Sequence, residues 1–182
     1  PVRMARKPNV TGAQLAFGCA LNTFMILNNL MDVSFTQFAL QNSNLELLQQ
    51  YRTWREQEVY LKTIISVLVF ALPLALFKAI VGMYGVLARH EASWLRTIGD
   101  FGFFCAISTV LTTVFTTLIP AFMDFDSCKL SPNDDAGCTA KAQTLLRPQS
   151  ALVALNSFML LMEIIRYAGN QPAAPKPPGK AE

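Results

Sequence analysis

Four charged side chains fall where charge is expensive. Asp32, Lys78, Asp100 and Glu163 lie inside long apolar stretches of the chain. An ionisable group in lipid faces a protein interior and finds a partner there. Two kinds of chemistry fit such a set. A Lys–Glu pair can relay a proton or hold an ion, or it can act as a fixed salt bridge that specifies helix packing. A second chemically capable pair, Cys128 and Cys138, flanks the turn-rich run "SPNDDAG". This reads as a loop closed by a disulfide, because two thiols alone do not complete a four-ligand zinc site. A disulfide places that loop in an oxidising space: a lumen, the exterior or the mitochondrial intermembrane space. Cys19 and Cys105 read as buried packing residues.

Other chemistry is missing from the sequence. His90 is the single histidine, and no Gly-x-Ser-x-Gly, HExxH, P-loop or CxxCH pattern occurs. The expectation is therefore no enzymatic activity, no cofactor and no metal site. The excess of Lys and Arg flanks the apolar stretches, so membrane topology accounts for it without a nucleic-acid partner.

The elements that must position these residues follow from hydropathy. Of 182 residues, 52% are hydrophobic and 15% charged, and the charges fall between four apolar stretches. These cover residues 10–40, 59–88, 94–123 and 150–168, close to or above the ~20 residues that cross a hydrocarbon core of ~30 Å. The predicted fold is all-α, an integral membrane four-helix bundle within residues 1–168, followed by a Pro-rich tail over 169–182. Lys and Arg asymmetry puts both termini on the cytosolic or matrix side and the two larger loops outside. No cleavage site follows the basic start, so the first helix is expected to stay, and Pro1 is read as following a removed initiator Met.

Depth along the helices selects partners for the charges. Lys78 lies ~3 Å from the middle of helix two, and Glu163 ~5 Å from the middle of helix four. Asp100 is about ten ångströms nearer the cytosol than Lys78. The expected pair is Lys78–Glu163, with Asp100 nearer Arg166 or the Arg89/Arg96 end. Asp32 lies toward the outer face, near Lys62 or a partner chain. Pro73 should kink helix two, and Gly82 and Gly85 should allow close helix contact. Helix one carries a small-residue ridge, Gly12, Ala16 and Ala20, of the kind that packs helices in lipid. Its Asn22, Asn28, Asn29 and Asp32 should face other helices or a partner.

The segment Leu47–Trp54 has near-helical apolar spacing. It is read either as an interfacial helix or as an extension of helix two. Ser108, Thr109, Thr112, Thr113, Thr116 and Thr117 either line a polar path or bond to carbonyls one turn back, the second being preferred.

The assembled plan resembles the MARVEL tetraspan family, which includes the synaptogyrin and synaptophysin proteins. Gly99-Asp100-Phe101 looks like the acidic opening of that family's third helix. Cys128 and Cys138 sit in the corresponding outer loop. "SALVALNSFMLLMEIIRY" (Ser150–Tyr167) is similar to its fourth helix and Arg-Tyr exit. The first outer loop lacks cysteines, and Lys78 is a further departure. The resemblance implies membrane organisation, vesicle or junction association, and no catalysis.

The expected function is thus a structural or accessory subunit of a larger membrane complex, or an organiser of a membrane domain. Its partners are the lipid bilayer and other membrane subunits or further copies of itself. The alternative is a small proton, ion or solute transporter or channel using the Lys78–Glu163 pair. Transporters usually show repeats or broken helices at matching positions, and none is visible here.

Overall fold

The computed structural model describes residues 12–57, 73–77, 79–84, 87, 94–128 and 135–169. Every element among them is helical, with no strand. Helix α1 spans Gly12–Gln41 and α2 spans Leu45–Gln57. A short apolar helix, α3, covers Pro73–Tyr84. Helix α4 (Trp94–Thr113) passes through a π-helical turn (Val114–Leu118) into α5 (Ile119–Asp126), and α6 runs over Asp135–Ala168. Two helical stretches, Trp94–Asp126 and Ala136–Ala168, are long and apolar enough to cross a membrane.

Helix α6 is central. Its residues Cys138, Ala142, Leu145, Gln149, Leu152, Asn156, Met159, Glu163 and Arg166 recur in steps of three and four, and all are buried. That is the seam of a helix packed with a near-3.5-residue repeat. It lies antiparallel to α1, since Thr36 meets Gln149 and Gly18 meets Glu163. It is also antiparallel to α4, where Gly99 abuts Arg166 and Gly102 abuts Met162.

The bundle is longer than one bilayer crossing. A helix of 34 residues measures about 50 Å, some 20 Å more than a hydrocarbon core. The expected start of the last helix at residue 150 is therefore corrected to Asp135. The polar run 135–149 resembled a loop by composition, yet Cys138, Ala142 and Leu145 carry the helical step into a second core with Ala39, Leu45, Leu48 and Phe125. Pro148 sits inside the helix and is itself buried. It removes one rung of the hydrogen-bond ladder.

Local chemistry explains the joints. The α1 terminus closes as a Schellman turn, with Asn44 N–H donating to the Ala39 carbonyl at 2.9 Å and Ser43 N–H to that of Leu40 at 3.3 Å. Ser43 takes the left-handed conformation (φ 50°) that this turn requires. Asn44 then caps α2, its Oδ1 accepting from Leu47 N–H at 3.0 Å. The π turn precedes Pro120, with Ile119 N–H donating to the Val114 carbonyl. Widening the turn there makes room for a proline ring that would otherwise strike the carbonyl four residues back.

Helix α2 forms its own element and docks on the disulfide end. Leu45 and Leu48 are buried, Gln49 Nε2 donates to the Cys128 carbonyl at 3.2 Å, and Arg52 pairs with Asp126 while covering the Phe122 ring at 4.5 Å. Lys141 bridges to Asp124 at 3.3 Å. The Cys128–Cys138 disulfide ties the end of α5 to the start of α6, with Cα atoms 5.8 Å apart. Cys19 is only half-buried and Cys105 is exposed, so the expectation that both are buried packing residues is corrected. Thiol alkylation of the denatured, unreduced chain should therefore label Cys19 and Cys105 only, and all four cysteines after reduction, as read by peptide mass spectrometry. Replacing Cys128 and Cys138 together by Ser should lower unfolding stability by about 2–4 kcal/mol.

Candidate functional site

The site grows from one residue on the buried face of α4. Asp100 is 1% exposed, and a carboxylate so placed requires cations. Two arginines answer it. Arg166 Nε, from α6, lies 2.5 Å from Asp100 Oδ1, and Arg96 Nε, one turn earlier on α4, lies 3.5 Å from Oδ2. Arg166 is shared: its Nη1 stands 3.6 Å from Glu163 Oε2, one turn back on α6. Glu163 and Arg166 are themselves 2% and 7% exposed. Among the described residues, two acids and two bases thus form a compact cluster across the α4–α6 contact.

Glycines make room for it. A Cβ added at Gly18 of α1 would lie 2.8 Å from Glu163 Oε1, and one at Gly82 of α3 would lie 2.7 Å from Asp100 Oδ1. At Gly99 the obstacle is backbone, with Arg166 N at 2.8 Å, and at Gly169 it is Arg96 N at 2.5 Å. Four helices therefore converge on the cluster, and each contributes either a charge or the space for one.

A polar line runs from the cluster toward the disulfide end. Asn22, Asn28, Asn29, Asp32 and Thr36 of α1 are all buried, as are Gln149 and Asn156 of α6. Thr36 Oγ1 donates to Gln149 Oε1 at 3.3 Å. Asp32 meets Tyr51, whose hydroxyl donates to Oδ1 at 3.0 Å and whose ring stacks on Phe35 with centroids 4.0 Å apart. Lys62, one partner expected for Asp32, lies outside the described residues.

Lys78 and Gly85 also lie outside the described residues, and the proposed Lys78–Glu163 pair lies there with them. Gly82 is buried against Asp100. Of the helix-packing ridge, Gly12, Ala16 and Ala20 are all exposed, and nothing lies within 4 Å of a Cβ placed at Gly12, so the ridge does not make the α1–α6 contact. Gly18 makes the close approach instead, because α1 turns its heptad face, with Asn22, Asn29 and Thr36, toward α6. The roles of Gly18, Gly99, Gln149 and Asn156 are not evident from single positions. For Gln149 and Asn156 the signal is the seven-residue step 149–156–163, which matches 22–29–36 on α1.

The threonine face of α4 bonds to its own backbone. Thr109, Thr112 and Thr116 donate to the carbonyls of Cys105, Ser108 and Thr112 at 2.7–2.9 Å. Among the described residues no group of three or more His, Cys, Asp or Glu is placed to hold a metal ion. The chemistry of the cluster is charge compensation among buried side chains.

These features define an all-helical protein with two helices able to span a membrane. Comparison with protein-family models, curated proteins and solved structures returns no match.

Breaking the cluster should be costly. Asp100→Asn and Arg166→Met should each lower stability by about 3–5 kcal/mol, the second more, since it deprives both Asp100 and Glu163 of a cation. Thermal unfolding in detergent checks the order. In the same assay Gly99→Ala should destabilise strongly, Gly18→Ala less because the Glu163 carboxylate can shift, and Gly12→Ala scarcely at all.

Proposed function

We propose that the chain is a non-enzymatic tetraspan membrane protein, both ends on the cytosolic or matrix side, that packs as an accessory subunit of a larger membrane assembly or organises a membrane domain. The observation that carries this reading is an inverted distribution of polarity. Asp32, Asp100, Glu163, Arg166 and a line of amides are buried, while Phe17, Leu27, Phe77, Tyr84, Leu87, Phe101, Phe115 and Leu161 are at least half exposed. Soluble monomers rarely present so much contiguous apolar surface. Lipid solvates it at no cost and forbids the reverse arrangement.

Three observations favour a packing role over transport. The described acids of the cluster are held by arginines, the threonine hydroxyls are occupied by their own helix, and no described helix is broken at the level of the cluster. The ridge Gly12–Ala16–Ala20 faces away from the bundle and suits a helix of another subunit or a second copy. The MARVEL resemblance belongs to the same reading, since two of the residues that carry it, Asp100 and Arg166, form a buried ion pair.

Native purification in mild detergent, with identification of co-purifying chains, tests the proposal. The expected result is a particle larger than the 182-residue chain, which shrinks to the lone chain when Gly12 and Ala16 are both replaced by Leu, with thermal stability unchanged. Recovery of the wild type only as a monomer would sink the subunit reading. In proteoliposomes, proton and cation flux should match protein-free vesicles. Flux that Glu163→Gln abolishes would favour the transport alternative.

A further inference from the structure

Helices α4 and α5 keep one register against α6 along the whole contact. Arg96 meets Gly169, Gly99 meets Arg166 and Gly102 meets Met162; further on, Asp124 meets Lys141 and Cys128 meets Cys138. In every case a step forward on one side is matched, to within one residue, by a step back on the other. That register sets Pro148 of α6 opposite Thr117, inside the π-helical turn Val114–Leu118. The Thr36–Gln149 hydrogen bond brings α1 to the same level.

Continuity is interrupted at this level on both helices and in the core. Pro148 has no N–H, so the Thr144 carbonyl loses its helical donor. On the facing side the ladder shifts to the wider π step, where Ile119 N–H donates to the Val114 carbonyl, and Pro120 then offers no donor. The apolar core divides here as well. Leu145 packs in the cluster with Ala142 and Phe125, and Leu152 in the cluster with Val110 and Met159. The buried residues of α6 between them are Pro148 and Gln149. Helix α1 is intact at this level but ends at Gln41, little more than a turn beyond Thr36. Prolines and π turns are the places where helices kink.

We infer that this level is a hinge, about which the disulfide-closed head pivots against the half that carries the charge cluster. The head comprises α5, residues Asp135–Arg147 of α6, the end of α1 and the part of α2 that shares its core through Leu45 and Leu48. It moves as a unit because the Cys128–Cys138 disulfide and the Lys141–Asp124 bridge hold α5 to α6. The bend falls where rungs are already missing, so it leaves both cores and the Asp100–Arg166 pair intact. Tyr51 of α2 reaches α1 on the other side of the joint, at Asp32 and Phe35, and limits the swing. From Asp135 to Arg147 α6 rises about 20 Å. A bend of about 20° therefore carries the far end of the head through about 7 Å. The hinge lets the head adjust to what it meets without disturbing the charge cluster. It rests on the packing of α4, α5 and α6, and a chain that purified without partners would leave it intact.

Pulsed electron paramagnetic resonance on the full chain in detergent tests the hinge, with nitroxide labels at exposed positions and the disulfide intact. In a Cys19→Ser background, native Cys105 paired with Ala140→Cys spans the joint. Cys105 with Ser157→Cys stays within the half that carries the charge cluster. Met123→Cys with Ala140→Cys, in a chain that also carries Cys105→Ser, stays within the head. The distance distribution across the joint should be roughly twice as wide as either internal one, whose width reports label motion alone. Three distributions of equal width overturn the hinge. Pro148→Ala returns the missing N–H and should narrow the distribution across the joint while the internal ones hold. A width across the joint that Pro148→Ala leaves unchanged overturns the proposal equally.

Discussion

The Arg166–Asp100 ion pair is the constraint to which the rest of the bundle answers. It lies between two helices with almost no access to solvent. A charge in that position is tolerable only if its partner is held at contact. Holding it requires α4 and α6 to approach until Gly99 touches the Arg166 backbone, which no larger residue permits. Glu163 joins through the same arginine and needs Gly18 of α1 to clear it, while Gly82 of α3 clears Asp100. One buried pair therefore sets the spacing of four helices at that end.

The two ends of the bundle are stabilised by different physics. On the membrane reading proposed above, the disulfide end stands in water, where burying Phe125, Leu48 and Leu145 gains roughly 1.5–3 kcal/mol each. Arg52–Asp126, Lys141–Asp124 and the Cys128–Cys138 link are added to a core that would cohere without them. On the same reading, lipid surrounding the apolar band is as apolar as leucine, so the same burial gains little there. Cohesion there would come from close packing through glycine and from polar contacts: the charge cluster and the Thr36–Gln149 bond. This explains why α1 buries its amides and leaves Phe17, Leu27 and Leu30 outside.

The role proposed for this charge cluster is to specify packing, since Arg166 ties Asp100 and Glu163 to one side chain. The surfaces proposed above for partners are the exposed apolar faces and the exposed Gly12, Ala16 and Ala20 of α1.

Much of the architecture was legible from residue types. The long apolar stretches, the Cys128–Cys138 link and the burial of Asn22, Asn29 and Asp32 follow from hydropathy, from spacing and from the cost of polar groups in lipid. Depth was legible too, because a helix rises by a fixed step, and Asp100 falls level with Arg166 on that basis. Rotation about each helix axis was not. It decides that Gly18 and not Gly12, Ala16 or Ala20 makes the close approach, that Cys105 and the threonines face outward, and that Asp32 meets Tyr51. Nor could composition reveal that residues 135–149 are helical, since polar residues are ordinary on a helix that extends beyond the hydrocarbon. The sequence by itself determined which groups must be buried and at what height. Only the tertiary structure decided which of them touch, because contact depends on how helices are turned toward one another, and that is a property of the whole bundle.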